Sequence, residues 1–332
     1  MLIESRRSLA SIAFSAVALL LSTQVHAQPW PTKQITLVVP FAAGGPSDVI
    51  GRLTAEHMGR TLGTQIIVEN VGGAGGTLGM DRVAKADPDG YTLLTHHGAF
   101  TAAPALYSNL KFDPRTAFEP LGLINTGPMV LLSRKTLETK SATELIAWLK
   151  DKGDKATVAF AGVGSNSFIC ATVLQNLTGA KPAMVPYRGT GPAMNDLVGG
   201  QIDVLCDQST TAVPQVLGGA VKAYAVTSSE RSTSLPDVPS NTEAGLPGLQ
   251  VTIWNALYAP KGTPKDIIDK INAALAKMVA DPEMLKRFDA SGTVAFPPER
   301  RSVAAHTVHM TEQFEFYKSM FEKAGVKQQE AK

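Results

Sequence analysis

Two short loops in this sequence combine glycine with hydroxyl side chains at the start of an expected helix. The first is Gly44-Gly45-Pro46-Ser47-Asp48, and the second is Gly164-Ser165-Asn166-Ser167. Each follows an apolar run typical of a buried strand, so free backbone N–H groups and the positive end of a helix dipole should meet there. Neither loop contains lysine or arginine. The pair predicts a clamp in which backbone and hydroxyl donors hold a small anion from two sides.

A purely structural explanation of these residues stays open. Glycine often does no more than form a turn, and Ser47 or Asp48 could act only as a helix cap. His97 follows the third expected strand and is a candidate for the cleft between the loops. Asp207 ends a strand in the second half of the chain, where its carboxylate would either orient a ligand or cap a turn.

The sequence lacks the motifs typical of nucleotide binding, acyl transfer and metal binding. Neither Gly72 to Gly79 nor Gly162 to Ser167 satisfies G-x-G-x-x-G, and G-x-x-x-x-G-K-[ST] does not occur, so nucleotide binding is disfavoured. The sequence around Ser165 is not G-x-S-x-G and names no base, which argues against an acyl-transfer enzyme. The histidines lack an H-E-x-x-H context. We therefore expect a protein that is not an enzyme, with no catalytic residue, no cofactor and no metal.

The order of the elements around the loops predicts an α/β fold. Strand-like runs such as Ile35 to Val39 alternate with glycine turns and helices, which favours doubly wound parallel sheets. After Trp254 the pattern becomes helical. Because 332 residues exceed what one core usually supports, two lobes are expected. We expect a signal peptide at residues 1–27, a discontinuous first lobe at 28–128 and 250–332, and a second lobe at 129–249.

The N-terminal segment has the composition of a secretion signal. Arg6 and Arg7 precede an apolar run from Leu9 to Leu21, and Val25-His26-Ala27 supplies small residues for cleavage. The arginine pair loosely resembles a twin-arginine signal, but the ordinary secretion route fits it as well and is preferred. No cysteine stands at the cleavage site to carry a lipid. We expect a freely diffusing periplasmic protein.

Charge and cysteine content narrow the partners further. The formal net charge is +2 at pH 7, which does not indicate a nucleic-acid partner. The chain contains two cysteines, Cys170 and Cys206, and an oxidising compartment would allow them to pair. A disulfide stays an open question here, because it needs a Cα separation below about 7 Å that sequence does not supply.

Several longer motifs occur in a fixed order along nearly all of the mature chain. They are Ile35 to Asp48 (ITLVVPFAAGGPSD), Val68 to Gly79 (VENVGGAGGTLG), Ala86 to Leu94 (ADPDGYTLL), Leu110 to Pro120 (LKFDPRTAFEP), Val185 to Asp207 (VPYRGTGPAMNDLVGGQIDVLCD), Ala225 to Gly248 (AVTSSERSTSLPDVPSNTEAGLPG) and Ala259 to Pro264. With these motifs the sequence resembles the Bug or TctC-type family, the binding proteins of tripartite tricarboxylate transporters.

The resemblance implies the type II periplasmic-binding-protein fold, in which two α/β lobes close on a carboxylate. It also implies a monomeric receptor that delivers its ligand to integral membrane transporter subunits. Matched residue by residue, it implicates two groups of residues and a third loop. These are Phe41, Gly45, Ser47 and Asp48 in the first lobe, Gly164, Ser165, Asn166 and Ser167 in the second, and Asp207 with Gln208 to Thr211 in the third loop. Pro46, within the first loop, is a candidate ligand contact as well.

Two departures from the family pattern bear on the ligand. A proline usual before Gly73 is Gly72 here, and a histidine common after the second loop is Phe168. With Phe41 and Phe168 flanking the loops, an aromatic carboxylate is expected. His97 and the hydroxyls near Thr210 would meet a second carboxylate, and the sequence looks most similar to terephthalate-binding receptors. Alternatives are a ligand-sensing partner of a membrane histidine kinase and a periplasmic hydrolase.

Overall fold

Strands and helices alternate along most of the chain. The computed structural model describes residues 30–323 and 325–330, so the expected signal peptide at residues 1–27 lies outside the described residues. The strands are β1 (Ile35–Val39), β2 (Ile66–Asn70), β3 (Thr92–His97), β4 (Phe118–Arg134), β5 (Thr157–Phe160), β6 (Ala183–Pro186), β7 (Val204–Gln208), β8 (Val221–Val226), β9 (Thr252–Pro260) and β10 (Val294–Ala295). The α-helices are α1 (Pro46–Leu62), α2 (Thr77–Ala84), α3 (Ala99–Leu106), α4 (Ala142–Lys152), α5 (Asn166–Thr178), α6 (Thr190–Val198), α7 (Ser209–Leu217), α8 (Lys265–Met278), α9 (Pro282–Ala290) and α10 (Val303–Lys323).

The strands pair in the order β2-β1-β3-β9-β4-β7-β5-β6, and both β8 and β10 pair with β4. The ladders of β1 with β2 and β3, and of β5 with β6 and β7, are parallel. Helices follow these parallel strands, so the loops after them gather at the carboxyl ends of the strands, where ligands bind in open α/β sheets. We call the part built on β1, β2, β3, β9 and β10 the first lobe, and the part built on β5 to β8 the second lobe.

Two long strands run through the middle of the molecule. Residues Phe118 to Pro128 of β4 pair antiparallel with β9, whereas Met129 to Ser133 pair antiparallel with β7. The pairing partner of β4 thus changes within a single continuous strand. The lobe boundaries after residues 128 and 249 stay a prediction.

Parts of the predicted element pattern are wrong. The sequence predicts a short strand at Val130 to Leu132, but β4 has 17 residues. After Trp254 the chain first continues in β9 to Pro260, and the predicted helices then follow from Lys265 onwards. Both strands are buried almost throughout, so they lack the alternation of apolar and polar residues that marks a half-exposed strand. Tertiary burial, not local pattern, makes them strands.

The C-terminal helices pack on elements of the first lobe. Helix α8 contacts α1 and β4 through its buried face, which includes Ile267, Ile271 and Leu275. Helix α10 packs against α3 and β4. In residues 30–323 and 325–330, no helix has the length and apolar character needed to cross a bilayer.

Candidate functional site

The N-terminal ends of four helices, α1, α5, α6 and α7, face one small cavity between the lobes. The cavity is lined by Phe41, Gly45, Pro46, Ser47, His97, Met129, Ala161, Ser165, Asn166, Ser167, Thr190, Asp207 and Gln208. No lysine or arginine of the described chain belongs to this lining. Converging helix N-termini create a positive potential from backbone dipoles alone. The helix N-termini therefore make the cavity suitable for an anion, although no cationic side chain lines it.

The first loop is held in place by Asp48. This buried carboxylate accepts hydrogen bonds from Gly44 N at 3.0 Å, Arg52 Nε at 2.9 Å and Asn70 Nδ2 at 2.9 Å. Burial alone would raise the pKa of Asp48, but the bonds from Arg52, Gly44 and Asn70 outweigh burial and lower it. Asp48 does not line the cavity. Its oxygens fix the loop that presents Gly45 and Ser47.

Replacing Asp48 with asparagine is expected to lower the free energy of unfolding at pH 7 by roughly 1–3 kcal/mol, because buried donors lose a charged acceptor. Since the folded pKa is lowered, the stabilisation is complete above the usual value of 3.8 and disappears as the pH falls through the folded pKa. Urea unfolding at pH 7 and pH 3 measures this. Asp151→Asn, at an exposed carboxylate bonded to adjacent Lys152, is the matched control. Equal losses in both variants would contradict the role of Asp48.

The second loop contains a pair of coupled hydroxyls. Ser165 Oγ caps α5 by accepting from Phe168 N at 3.2 Å, and Ser167 Oγ accepts from Ala161 N at 2.9 Å. The two Oγ atoms lie 3.0 Å apart, so one hydroxyl donates to the other. The pair uses one of its two protons internally. The second proton remains available to an acceptor in the cavity.

His97 and Phe41 form the apolar wall of the first lobe. Their rings stack with centroids 4.6 Å apart and an interplanar angle of 18°. Burial lowers the pKa of His97 to about 3, so the imidazole is neutral at pH 7. Ala99 N donates to His97 Nδ1 at 3.2 Å, which places the ring proton on Nε2. His97 is thus a neutral donor beside Asn166.

The third loop adds hydrogen-bond acceptors. Asp207 is fully buried, its Oδ1 accepts from Gln208 N at 2.9 Å, and its Oδ2 accepts from Thr211 Oγ1 at 2.6 Å. Burial outweighs the hydrogen bonds from Thr190, Thr211 and Gln208 N and raises the pKa of Asp207 above its usual value. Gln208 Oε1 is buried without a hydrogen-bond partner among the described residues.

The structure brings most of the predicted residues together but not all of them. Asp48, Gly164, Phe168 and Thr210 do not line the cavity. The ring of Phe168 packs on Phe160, with centroids 5.4 Å apart.

Sequence reasoning gave no site role to Met129, Ala161 or Thr190, and named Gln208 only as a neighbour of Asp207. Thr190 had a usable signal, since Gly189-Thr190 also joins a strand to a helix through glycine. Met129 and Ala161 carry no such signal, because apolar residues reach the cavity only through the paths of β4 and β5.

The cleft is closed in this structure. The cavity has a volume of about 20 Å³, which holds roughly one water molecule. Outside the cavity lining, hydrogen bonds join the lobes: Ala42 N donates to Arg188 O at 3.0 Å, and Tyr107 Oη donates to Val163 O at 2.7 Å. Glycines of the two lobes also meet, Gly45 against Gly191. A ligand larger than water therefore requires these walls to separate.

A disulfide links the second and third loops. Cys170 of α5 and Cys206 of β7 are bonded, with their Cα atoms 6.2 Å apart. Both side chains are buried. The bond ties α5, which begins at the second loop, to β7, which contains Asp207 and ends at Gln208.

A family profile and individual protein sequences relate this chain to the same family. Residues 50–314 match the profile of the tripartite tricarboxylate transporter family receptor, TctC. The UPF0065 protein in the TAR-I ttuE-ttuC' intergenic region of Agrobacterium vitis is 45% identical over 295 residues, covering 89% of this chain and 85% of that protein.

Solved structures of similar proteins point to the same family. The periplasmic binding protein BugD is 43% identical, with a TM-score of 0.88 over 90% of this chain and all (100%) of that one. MatC from Rhodopseudomonas palustris, solved with bound malate, is 41% identical, with a TM-score of 0.84 over 87% of this chain and 99% of that one. These likenesses show the mixed α/β fold of Bug-type periplasmic binding proteins. The chain belongs to the TctC family, the receptors of tripartite tricarboxylate transporters.

Proposed function

We propose that this receptor captures a small organic carboxylate and delivers it to the integral membrane subunits of a tripartite tricarboxylate transporter. One observation carries the proposal. Four helix N-termini, contributed by both lobes, surround a cavity whose lining contains hydroxyl and amide groups but no cationic side chain. Such a cavity suits a carboxylate, which accepts several hydrogen bonds from uncharged donors. That MatC was solved with malate supports the same class of ligand.

The family consists of periplasmic solute-binding receptors, which supports a role for this protein in the periplasm as a receptor and not as an enzyme. We infer that residues 1–27 act as a cleavable signal peptide and that the mature protein works as a monomer. The lobes at 28–128 with 250–332 and at 129–249 would then open and close around the cavity.

An aromatic diacid such as terephthalate remains a candidate ligand. Its support is now one aromatic face instead of two, because Phe41 lines the cavity while Phe168 packs on Phe160. His97 lies beside Phe41 and would donate to the ligand. Thr210, expected to meet a second carboxylate, does not line the cavity.

A thermal-shift panel of malate, citrate, adipate, benzoate and terephthalate tests the proposal. A ligand at 100 times its dissociation constant adds about 2.7 kcal/mol to the stability of the folded state. At least one carboxylate is expected to raise the melting temperature, followed by calorimetry. Stabilisation by neutral sugars with no response to any carboxylate would overturn the proposal.

Ser165→Ala is expected to weaken carboxylate binding about tenfold or more, because a hydrogen bond to a charged group contributes roughly 1.5–3 kcal/mol. The variant removes one of the two coupled hydroxyls, so the remaining one has lost its partner. Calorimetric titration measures the change.

The matched control is Ser141→Ala. Ser141 caps α4 by accepting from Glu144 N at 3.2 Å, the same geometry as the cap of α5, and it does not line the cavity. Both variants lose a helix cap, which costs about 1 kcal/mol of stability. Only Ser165→Ala should lose affinity. An equal affinity in both variants would remove Ser165 from the site.

A further inference from the structure

We propose that the ligand carries a hydrogen-bond donor on its carbon chain, a hydroxyl or an ammonium group, which Asp207 accepts. The inference rests on the proposed function and narrows its ligand to hydroxy or amino carboxylates. The cavity, although suited to a carboxylate ligand, contains the buried carboxylate of Asp207.

The hydrogen bonds from within the protein do not fill every acceptor position of the Asp207 carboxylate. A carboxylate has about four lone-pair positions for hydrogen bonds. Gln208 N and Thr211 Oγ1 occupy two of these positions, and the hydroxyl of Thr190 also bonds to the carboxylate. One position remains, and Asp207 lines the cavity. The hydrogen bonds from Gln208 N and Thr211 Oγ1 are accepted by the Asp207 oxygens, so the carboxylate presents an acceptor to the cavity.

A second acceptor faces the same space. Gln208 is 4% exposed, and its Oε1 has no hydrogen-bond partner among the described residues. Buried acceptors without donors lower stability, so such groups are normally matched by a ligand or by water. Asp207 and Gln208 are the last two residues of β7, directly before α7, and both line the cavity.

The other side of the cavity is rich in donors. The coupled hydroxyls of Ser165 and Ser167 have one proton available. Asn166 Nδ2 and Oδ1 have no hydrogen-bond partner by distance and angle among the described residues, and the Nε2 proton of His97 lies beside this amide. A ligand that is only a carboxylate would satisfy these donors and leave Asp207 facing negative charge. A carboxylate with a nearby hydroxyl or ammonium satisfies both sides.

Matched ligand series test this without any mutation. Succinate is compared with malate and aspartate, glutarate with 2-hydroxyglutarate and glutamate, and tricarballylate with citrate, all by calorimetry. In the series that fits the cavity, the compound with the added donor should bind at least about tenfold tighter, since a buried acceptor rejects analogues that leave it unpaired. The hydroxy and amino arms separate the two kinds of donor.

Asp207→Asn supplies the matched variant. It keeps the shape and one acceptor oxygen, but the other oxygen becomes a donor, so a hydrogen bond from within the protein is lost as well. The tenfold preference for the hydroxy or amino compound should disappear, because the unsubstituted acid gains a partner. A preference that persists unchanged would show that Asp207 does not set it.

The outcomes separate the inference from the proposed function. Unsubstituted acids, or terephthalate, binding as tightly as the donor-bearing compounds would overturn the inference and leave carboxylate binding intact. Failure of every carboxylate to bind would overturn both.

Discussion

Replacing Gly191 with alanine is expected to weaken ligand binding about 5- to 150-fold. The added methyl group should destabilise the closed state by roughly 1–3 kcal/mol through overpacking and leave the open state unaffected. A Cβ atom at Gly191 would lie 2.7 Å from Gly45 N and 2.8 Å from Ala43 O. All three of its nearest atoms belong to the first lobe, whereas Gly191 is in α6 of the second. The clash therefore exists only when the lobes are closed.

Stability of the open form should not suffer. Gly191 lies within a helix, where alanine is favoured over glycine by about 1 kcal/mol. The variant should unfold at the same temperature as the wild type or slightly above it in the absence of ligand, and small-angle scattering should show larger dimensions at saturating ligand.

Gly199→Ala is the matched control, at the other end of the same helix. There the nearest atom to a Cβ is Asn195 O at 3.3 Å, within the second lobe. Its affinity should equal that of the wild type. An unchanged affinity in Gly191→Ala would mean that binding does not require the closed contact between Gly45 and Gly191.

Removing the disulfide should cost about 4 kcal/mol of unfolding free energy, the loop-closure entropy of a loop of this size. Cys170 and Cys206 are 36 residues apart, and their bond constrains that segment in the unfolded chain. The double variant Cys170→Ala with Cys206→Ala avoids leaving a free thiol. Chemical unfolding of the oxidised wild type and of the double variant measures the difference.

A reducing agent provides the control for this experiment. Added during unfolding, it should lower the stability of the wild type towards that of the double variant and leave the variant unchanged. Equal stabilities of the oxidised wild type and the variant would show that the bond does not stabilise the fold.

The loops of the candidate site were largely predictable from sequence. The first two loops join a strand to a helix through residues such as Gly45 or Gly164, and this pattern is local, so a short stretch of chain encodes it. Nine predicted residues line the cavity, namely Phe41, Gly45, Pro46, Ser47, His97, Ser165, Asn166, Ser167 and Asp207. Asp48 does not line it, because a cap residue and a ligand contact look alike in sequence while only hydrogen-bond partners separate them.

The sequence by itself determined the alternating α/β pattern, the helix starts and the absence of basic residues from the two loops, since all of these depend on neighbouring residues. The tertiary structure decided the features that depend on residues distant in the sequence. It made β4 and β9 long strands through burial, brought Cys170 to Cys206, and set Gly191 against Gly45 across the cleft. Nothing near Gly191 in the chain distinguishes it from an ordinary glycine, because the space it leaves is filled by the other lobe.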